Sequence, residues 1–299
     1  MVSLSYSAIE TIKQRISNRT YLNIPIDAEI RSKLAAYVKS IHNGPLGGSA
    51  RFELVAADEN DHNTLRGLGT YGFIQNAPGF VVGATPDGDQ KLEDYGYMLE
   101  MIILFATSLG LGSCWLGGTF TKSSFADKIS VKDHELVPAV AAVGHIAEKP
   151  RRIDSVIRVF AKADFRLPWE NLFFENEFDK PIIQMNAGDY QIPLEMVRIG
   201  PSASNRQPWR ILKHGKSWHF FLYRSPGYRA SSLAKIFTVA DLKRMDMGIA
   251  MCHFELTASE LGLSGHWIVK PPAIEYNKES LEYTVSWVPT KIRFVVEEL

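Results

Sequence analysis

The chain has 299 residues, 45% hydrophobic and 22% charged, a globular composition with enough length to bury a large core. Lysine plus arginine and aspartate plus glutamate number 33 each, so no excess charge argues for nucleic acid or an anionic membrane as partner. Two cysteines, Cys114 and Cys252, supply neither a disulfide framework nor a zinc quartet, and no His/Cys spacing suggests a metal.

The first stretch, residues 7–17, places Ile9, Ile12 and Ile16 at helical spacing and lacks the charged start and apolar centre of a secretory signal. A second helix is predicted over 27–42, opened by Asp27 and stopped by Gly44-Pro45. Strands follow at 51–57 and 79–85. Residues 91–110 are apolar on most faces, which predicts a buried helix. That run is interrupted by Glu100 and is too short to span a bilayer. Another buried strand lies around Val140. Residues 164–181, with two prolines, read as a crossing between two halves. Beyond it come a helix near 190–198, strands near 209–213 and 218–223, a helix at 241–261, and strands near 266–270 and 283–297. His253 reads as helix packing. The expectation is an α+β protein, soluble and cytoplasmic, with no membrane partner.

The two long helices repeat one another. "DYGYMLEMIILFATSLGLGSCWL" (94–116) and "DMGIAMCHFELTASELGLSGHWI" (246–268) align without gaps at an offset of 152, with eight of 23 positions identical. Upstream, "GPLGGSARF" (44–52) falls opposite "GPSASNRQPW" (200–209). The chain therefore reads as two copies of one unit, residues 1–165 and 166–299, packed as a pseudo-dimer in one interlocked structure.

The segment "PSASNRQPW" (201–209) resembles the flavin-contacting loop of the nitroreductase family. "RISNR" resembles that family's Arg-x-Ser-x-Arg phosphate grip, here Arg15, Ser17 and Arg19. "NAPGFVV" (76–82), "LGLGSCWLGGTF" (109–120) and "GHIAEKPRR" (144–152) resemble its central strand, helix exit and closing basic tail, in the same order. The resemblance implies a nitroreductase-like fold and FMN as cofactor. It places the phosphate at Arg15, Ser17 and Arg19, with one of Lys149, Arg151 or Arg152 joining. It places the ring against the backbone of Leu116, Gly117 and Gly118 and against Pro201, Ser202, Ala203, Ser204, Asn205 and Gln207.

These residue types suit the ligand. Guanidinium forks and a hydroxyl hold a phosphate, and an amide such as Asn205 answers both donors and acceptors at a pyrimidine edge. Helical spacing would bring Arg15 and Arg19 to one face. No side-chain acid or base stands out, so the cofactor is expected to carry the chemistry.

The first half keeps the grip but not the amide loop. The second keeps the loop, while "LFFENEFDKPIIQ" (172–184) stands where a grip would be. Glu175 and Glu177 there are expected to face the 44–52 loop and to oppose a phosphate. One complete site, hence one FMN per chain and a monomer, is the expectation. The implied activity is reduction of FMN by NADH or NADPH, then of a nitroaromatic, quinone or similar small acceptor, in ping-pong order. A flavin-binding module, a pseudo-enzyme without turnover, or a flavin-consuming or dehalogenating relative are the alternatives.

Overall fold

The computed structural model describes residues 5–58, 61–86, 92–149, 151–160, 162–224 and 240–290. Within them the chain runs α1 (Ala8–Gln14), α2 (Ala28–Ser40), β1 (Arg51–Ala56), β2 (Gly79–Pro86), α3 (Leu92–Ser108), β3 (Gly112–Leu116), α4 (Lys122–Lys128), β4 (Glu135–Leu136), β5 (Val140–Gly144) and α5 (Arg152–Phe160). It continues through β6 (Phe173–Glu175), β7 (Glu177–Pro181), α6 (Gln191–Ile199), β8 (Trp209–His214), β9 (Ser217–Tyr223), α7 (Leu242–Glu260), β10 (Gly265–Ile268) and β11 (Leu281–Pro289). The part of the predicted last strand beyond 290 lies outside the described residues.

Among the described residues two sheets form, one from strands within 51–144 and one from strands within 173–289. The first has the order β1-β2-β5-β3, with β4 on β2; the second has β10-β11-β9-β8-β6-β7. The four-strand antiparallel path β1-β2-β5-β3 has the same order as β8-β9-β11-β10, in which the strand following the long helix is the outer one. Period-two alternation divides the first sheet cleanly. Val81, Ala141 and Val143 join the central core, while Phe80, Val82, Val140 and Ala142 join a second cluster with Phe125. The central core draws on residues from both sheets and the helices between, from Ala8 to Trp287.

At its centre α3 packs on α7. A β-carbon on Gly96 would lie 2.2 Å from the carbonyl oxygen of Met245, and one on Gly248 would lie 1.9 Å from that of Glu93. Only glycine permits backbones this close. The contact maps onto itself under the same 152-residue offset, so the packing is compatible with a pseudo-dimer. Glu93 and Arg244 close the crossing with a two-pronged ion pair, 2.8 Å on each arm.

Two expectations are corrected. Residues 15–21 are not helical: α1 stops at Gln14, and Arg15 caps it in an extended conformation. The chain then makes single bridges from Ser17 to Ser113, Thr20 to Gln75 and Tyr21 to Ile146. Helical spacing therefore does not bring Arg15 and Arg19 together; they lie on an extended segment. Second, Glu175 and Glu177 do not face the 44–52 loop. The β6–β7 hairpin extends the second sheet beyond β8, where Glu175 pairs with Lys213 and Glu177 with Lys180. The 44–50 loop is instead bonded within its own half, with Asp94 accepting from the backbone of Leu46 and Gly48.

Candidate functional site

One face of α7 gathers parts that the sequence scatters. Leu242, Asp246 and His253 recur at spacings of four and seven, so they share a side of the helix. Leu242 abuts Gly117, where a β-carbon would fall 2.6 Å from its Cδ2. Asp246 Oδ1 accepts the Ala203 N–H at 2.9 Å. His253 packs on Gly200 and bonds the Met196 carbonyl through Nδ1 at 2.9 Å. The exit of β3 and the 201–207 loop thus meet at the first turns of α7.

The loop holds an uncommon conformation. Ser204, Asn205 and Gln207 all have positive φ, at 50°, 52° and 48°. Three non-glycine residues in the left-handed region within four positions carry a conformational cost, and such cost concentrates at ligand-binding sites. The loop is braced by Gln207 N–H to Ser202 Oγ at 2.8 Å and by Leu167 N–H to Gln207 Oε1 at 2.8 Å. Gln207 is buried and acts as scaffold; Ser204 is exposed, while Pro201, Ser202 and Ala203 are half-buried. Asn205 differs from expectation. Its amide donates to the carbonyls of Lys162 and Phe165 at 2.7 and 2.9 Å, because that turn of the crossing segment presents acceptors to it. Its side chain therefore ties the loop to the crossing.

The grip segment follows α1 and meets α3 at Glu100. Arg15 is buried, with Nε 3.8 Å from Glu100 Oε1. Among the described residues its Nη1 has no hydrogen-bond partner, nor has Nε of Arg19, nor Ser113 Oγ. Arg19 sits over the Phe73 ring at 5.0 Å. Buried guanidinium donors without acceptors are costly, and an anion is the group that satisfies them. These residues fit a phosphate.

Arg166 links grip to loop. It donates to Ile199 O at 3.1 and 3.0 Å, the last carbonyl of α6, and approaches Asn205 Oδ1 at 3.4 Å. Burial lowers its pKa, and the positive charges of Arg15 and Arg198 lower it further. Cation beside cation marks a locally positive field. The nearby Cys114 thiol is pushed up to about 11 by burial, with Arg19 and Arg15 opposing.

The basic tail divides. Arg151 is committed to the protein: Nε to Thr20 Oγ1, Nη1 to Gly72 O, and Nη2 to Phe73 O and Asp154 Oδ1 at 2.9 Å. It fixes the extended segment at Thr20, next to Arg19. Lys149 and Arg152 are exposed. Leu116 is buried at the end of β3, and a β-carbon on Gly118 would meet open space.

Sequence reasoning missed Glu100, Arg166, Asp246 and His253. Asp246 was visible as the repeat's first identical position. Glu100 was visible as the carboxylate that interrupts the apolar run after Met98. Arg166 left no local signal.

No helix among the described residues is long and apolar enough to cross a membrane, and no group of three His, Cys, Asp or Glu there is placed to hold a metal. Residues 7–258 match the family model described as "Putative TM nitroreductase". Among solved structures, a putative nitroreductase from Thermotoga maritima is similar, with a TM-score of 0.56 and 18% identity over 96% of this chain and 95% of that one. A nitroreductase family protein from Clostridium difficile 630 gives a TM-score of 0.39 and 20% identity over 55% of this chain and 94% of its own. An FMN-dependent nitroreductase from Clostridium difficile R20291 gives 0.37 and 22% over 49% and 93%. A comparison with curated proteins gave no match.

Proposed function

The chain belongs to the nitroreductase family described by that model, and from this premise we propose that it is an FMN-dependent oxidoreductase. NADH or NADPH is the electron donor, and a nitroaromatic, quinone or similar planar molecule is the acceptor, in ping-pong order. When bound, FMN supplies reversible hydride and electron transfer. The observation that carries this reading is the pair of buried, unpartnered donors, Arg15 Nη1 and Arg19 Nε, at the positions of the phosphate grip.

In this reading Arg15, Ser17 and Arg19 hold the phosphate. The exposed Lys149 and Arg152 add positive charge at its rim, while Arg151 keeps the extended segment in place. The backbone of Leu116, Gly117 and Gly118 lines the ring from the first half. Pro201, Ser202, Ala203 and Ser204 line it from the second half. Asn205 and Gln207 hold that loop in its left-handed form. The site draws on both halves, so we propose an internal duplication with one cofactor per monomeric chain.

The test is direct. The purified protein, supplied with FMN, should be yellow and should bleach anaerobically on addition of NADH or NADPH. Failure to take up flavin sinks the proposal; uptake without bleaching by either donor reduces it to a flavin-binding module.

A further inference from the structure

Glu100 sits at the middle of α3, fully buried, with apolar residues on either side of it from Met98 to Leu104. Its Oε2 accepts the indole N–H of Trp115 at 2.7 Å. Its Oε1 lies 2.9 Å from His253 Nε2 and 3.8 Å from Arg15 Nε. His253, also fully buried, faces the Met196 carbonyl through Nδ1 at 2.9 Å. A carbonyl only accepts, so Nδ1 carries a proton. The short contact to Glu100 then requires a second proton, on the ring or on the carboxyl. The pair therefore shares one proton, and its acceptors and donors are matched.

This network crosses the molecule. Arg15 and Glu100 belong to the first half. His253 belongs to the second, where it contacts both α6 and Gly200, the residue that opens the flavin loop. A buried carboxylate and imidazole are expensive to desolvate, and hydrophobic packing would serve stability as well. Their placement serves Arg15. Glu100 Oε1 stands 3.8 Å from Nε, beyond hydrogen-bond reach, so it holds that edge of the guanidinium by charge, while Nη1 is buried without a hydrogen-bond partner among the described residues. A negative oxygen near one edge of the planar fork biases the direction in which the other edge points.

We propose that Glu100 and His253 form a cross-half latch that positions Arg15 toward the phosphate of the cofactor, so that phosphate recognition depends on a residue pair that never touches it. The inference rests on the flavin reading above. It makes Glu100 and His253 positioning residues. Glu100→Gln isolates the effect. A glutamine oxygen still accepts from Trp115, and its amide still donates to a neutral His253 Nε2. Only the carboxyl oxygen facing Arg15 is lost, with an amide N–H in its place.

The experiment compares FMN with riboflavin, which has the same ring and no phosphate. Kd values are measured by fluorescence titration for the wild type and for Glu100→Gln. The expected result is a loss of about tenfold or more in FMN affinity with riboflavin affinity changed less than about threefold. An unchanged or strengthened preference for FMN overturns the latch. A second measurement uses only the wild-type chain. FMN should shift the ring 15N resonances of His253 and riboflavin should not; identical spectra with the two ligands overturn it equally. A chain that binds neither flavin refutes the proposed function itself, an outcome distinct from flavin binding without discrimination.

Discussion

Gly96 lies so close to Met245 that a β-carbon on it would stand 2.2 Å from a backbone carbonyl oxygen. Glycine in an exposed helix interior costs roughly 1 kcal/mol relative to alanine, so Gly→Ala normally stabilises. Here the sign reverses. Gly96→Ala and Gly248→Ala should each destabilise by about 1–3 kcal/mol or more, because α3 and α7 must separate. Urea denaturation checks this, with Gly118→Ala as the tolerated control. Stabilisation by either helix substitution would refute the crossing.

The phosphate grip predicts discrimination. Arg15→Ala or Arg19→Ala should each lower FMN affinity by roughly tenfold or more, the loss of one charge-assisted bond of about 1.5–3 kcal/mol, and affect riboflavin little. Fluorescence titration reads both. Full FMN affinity in both variants would remove the grip assignment.

Asn205 predicts the opposite pattern. Without its amide the Lys162 and Phe165 carbonyls lose their donor, and the left-handed turn loses its brace. Asn205→Ala should weaken FMN and riboflavin by similar factors, since the disturbed element is the ring loop. A phosphate-selective loss would place Asn205 at the other end of the cofactor.

Asp246 predicts a pH dependence. Burial pushes its carboxyl up to about 8, with Asp241 adding and the Ala203 N–H opposing. One of its oxygens is buried without a partner. The folded chain therefore holds this proton where the unfolded chain has released it. The contribution of this group to stability is complete below the ordinary carboxylate range and is lost as pH rises from about 4 to about 8. Asp246→Asn keeps an acceptor for Ala203 and removes the titration. It should be more stable than wild type at pH 7 by more than about 1 kcal/mol, since each pKa unit is worth about 1.4 kcal/mol. Denaturant midpoints from pH 4 to 8 decide it: parallel profiles for the two proteins exclude a raised Asp246.

The split of the site predicts stoichiometry. Flavin released by denaturation should approach one per chain. Mixing an Arg15/Arg19 double variant with an Asn205 variant should not restore binding. Two flavins per chain, or recovery on mixing, would mean a site built between chains.

Local pattern made most elements legible, because α3, α7 and the core strands announce themselves by apolar periodicity. It misled where two periods overlap. Ile9, Ile12 and Ile16 prolong a helical reading past Gln14, yet bridges to Ser113 and Gln75 hold residues 17–20 extended. The helix at 152–160 hid behind a charge run that reads as a tail. The partner of β6 could not be read, since pairing with β8 depends on residues some 38 positions away. Of the site, the contiguous motifs were legible. The Glu100–His253 contact and the role of Arg166 were not, because each is made by chain crossing rather than by spacing.

The burial of α3 sets a timetable for synthesis. Almost every residue of this helix is covered in the finished molecule, and α7 supplies much of the cover. The ends of the two helices are 152 residues apart. At about 5–20 residues per second, a ribosome needs roughly 8–30 s to deliver the second after the first. For that interval the nascent first half holds an apolar helix with no mate, inviting chaperones or a neighbouring nascent chain. A product truncated after residue 165 would stay in that state and should be recovered as aggregate rather than as a half-sized flavoprotein.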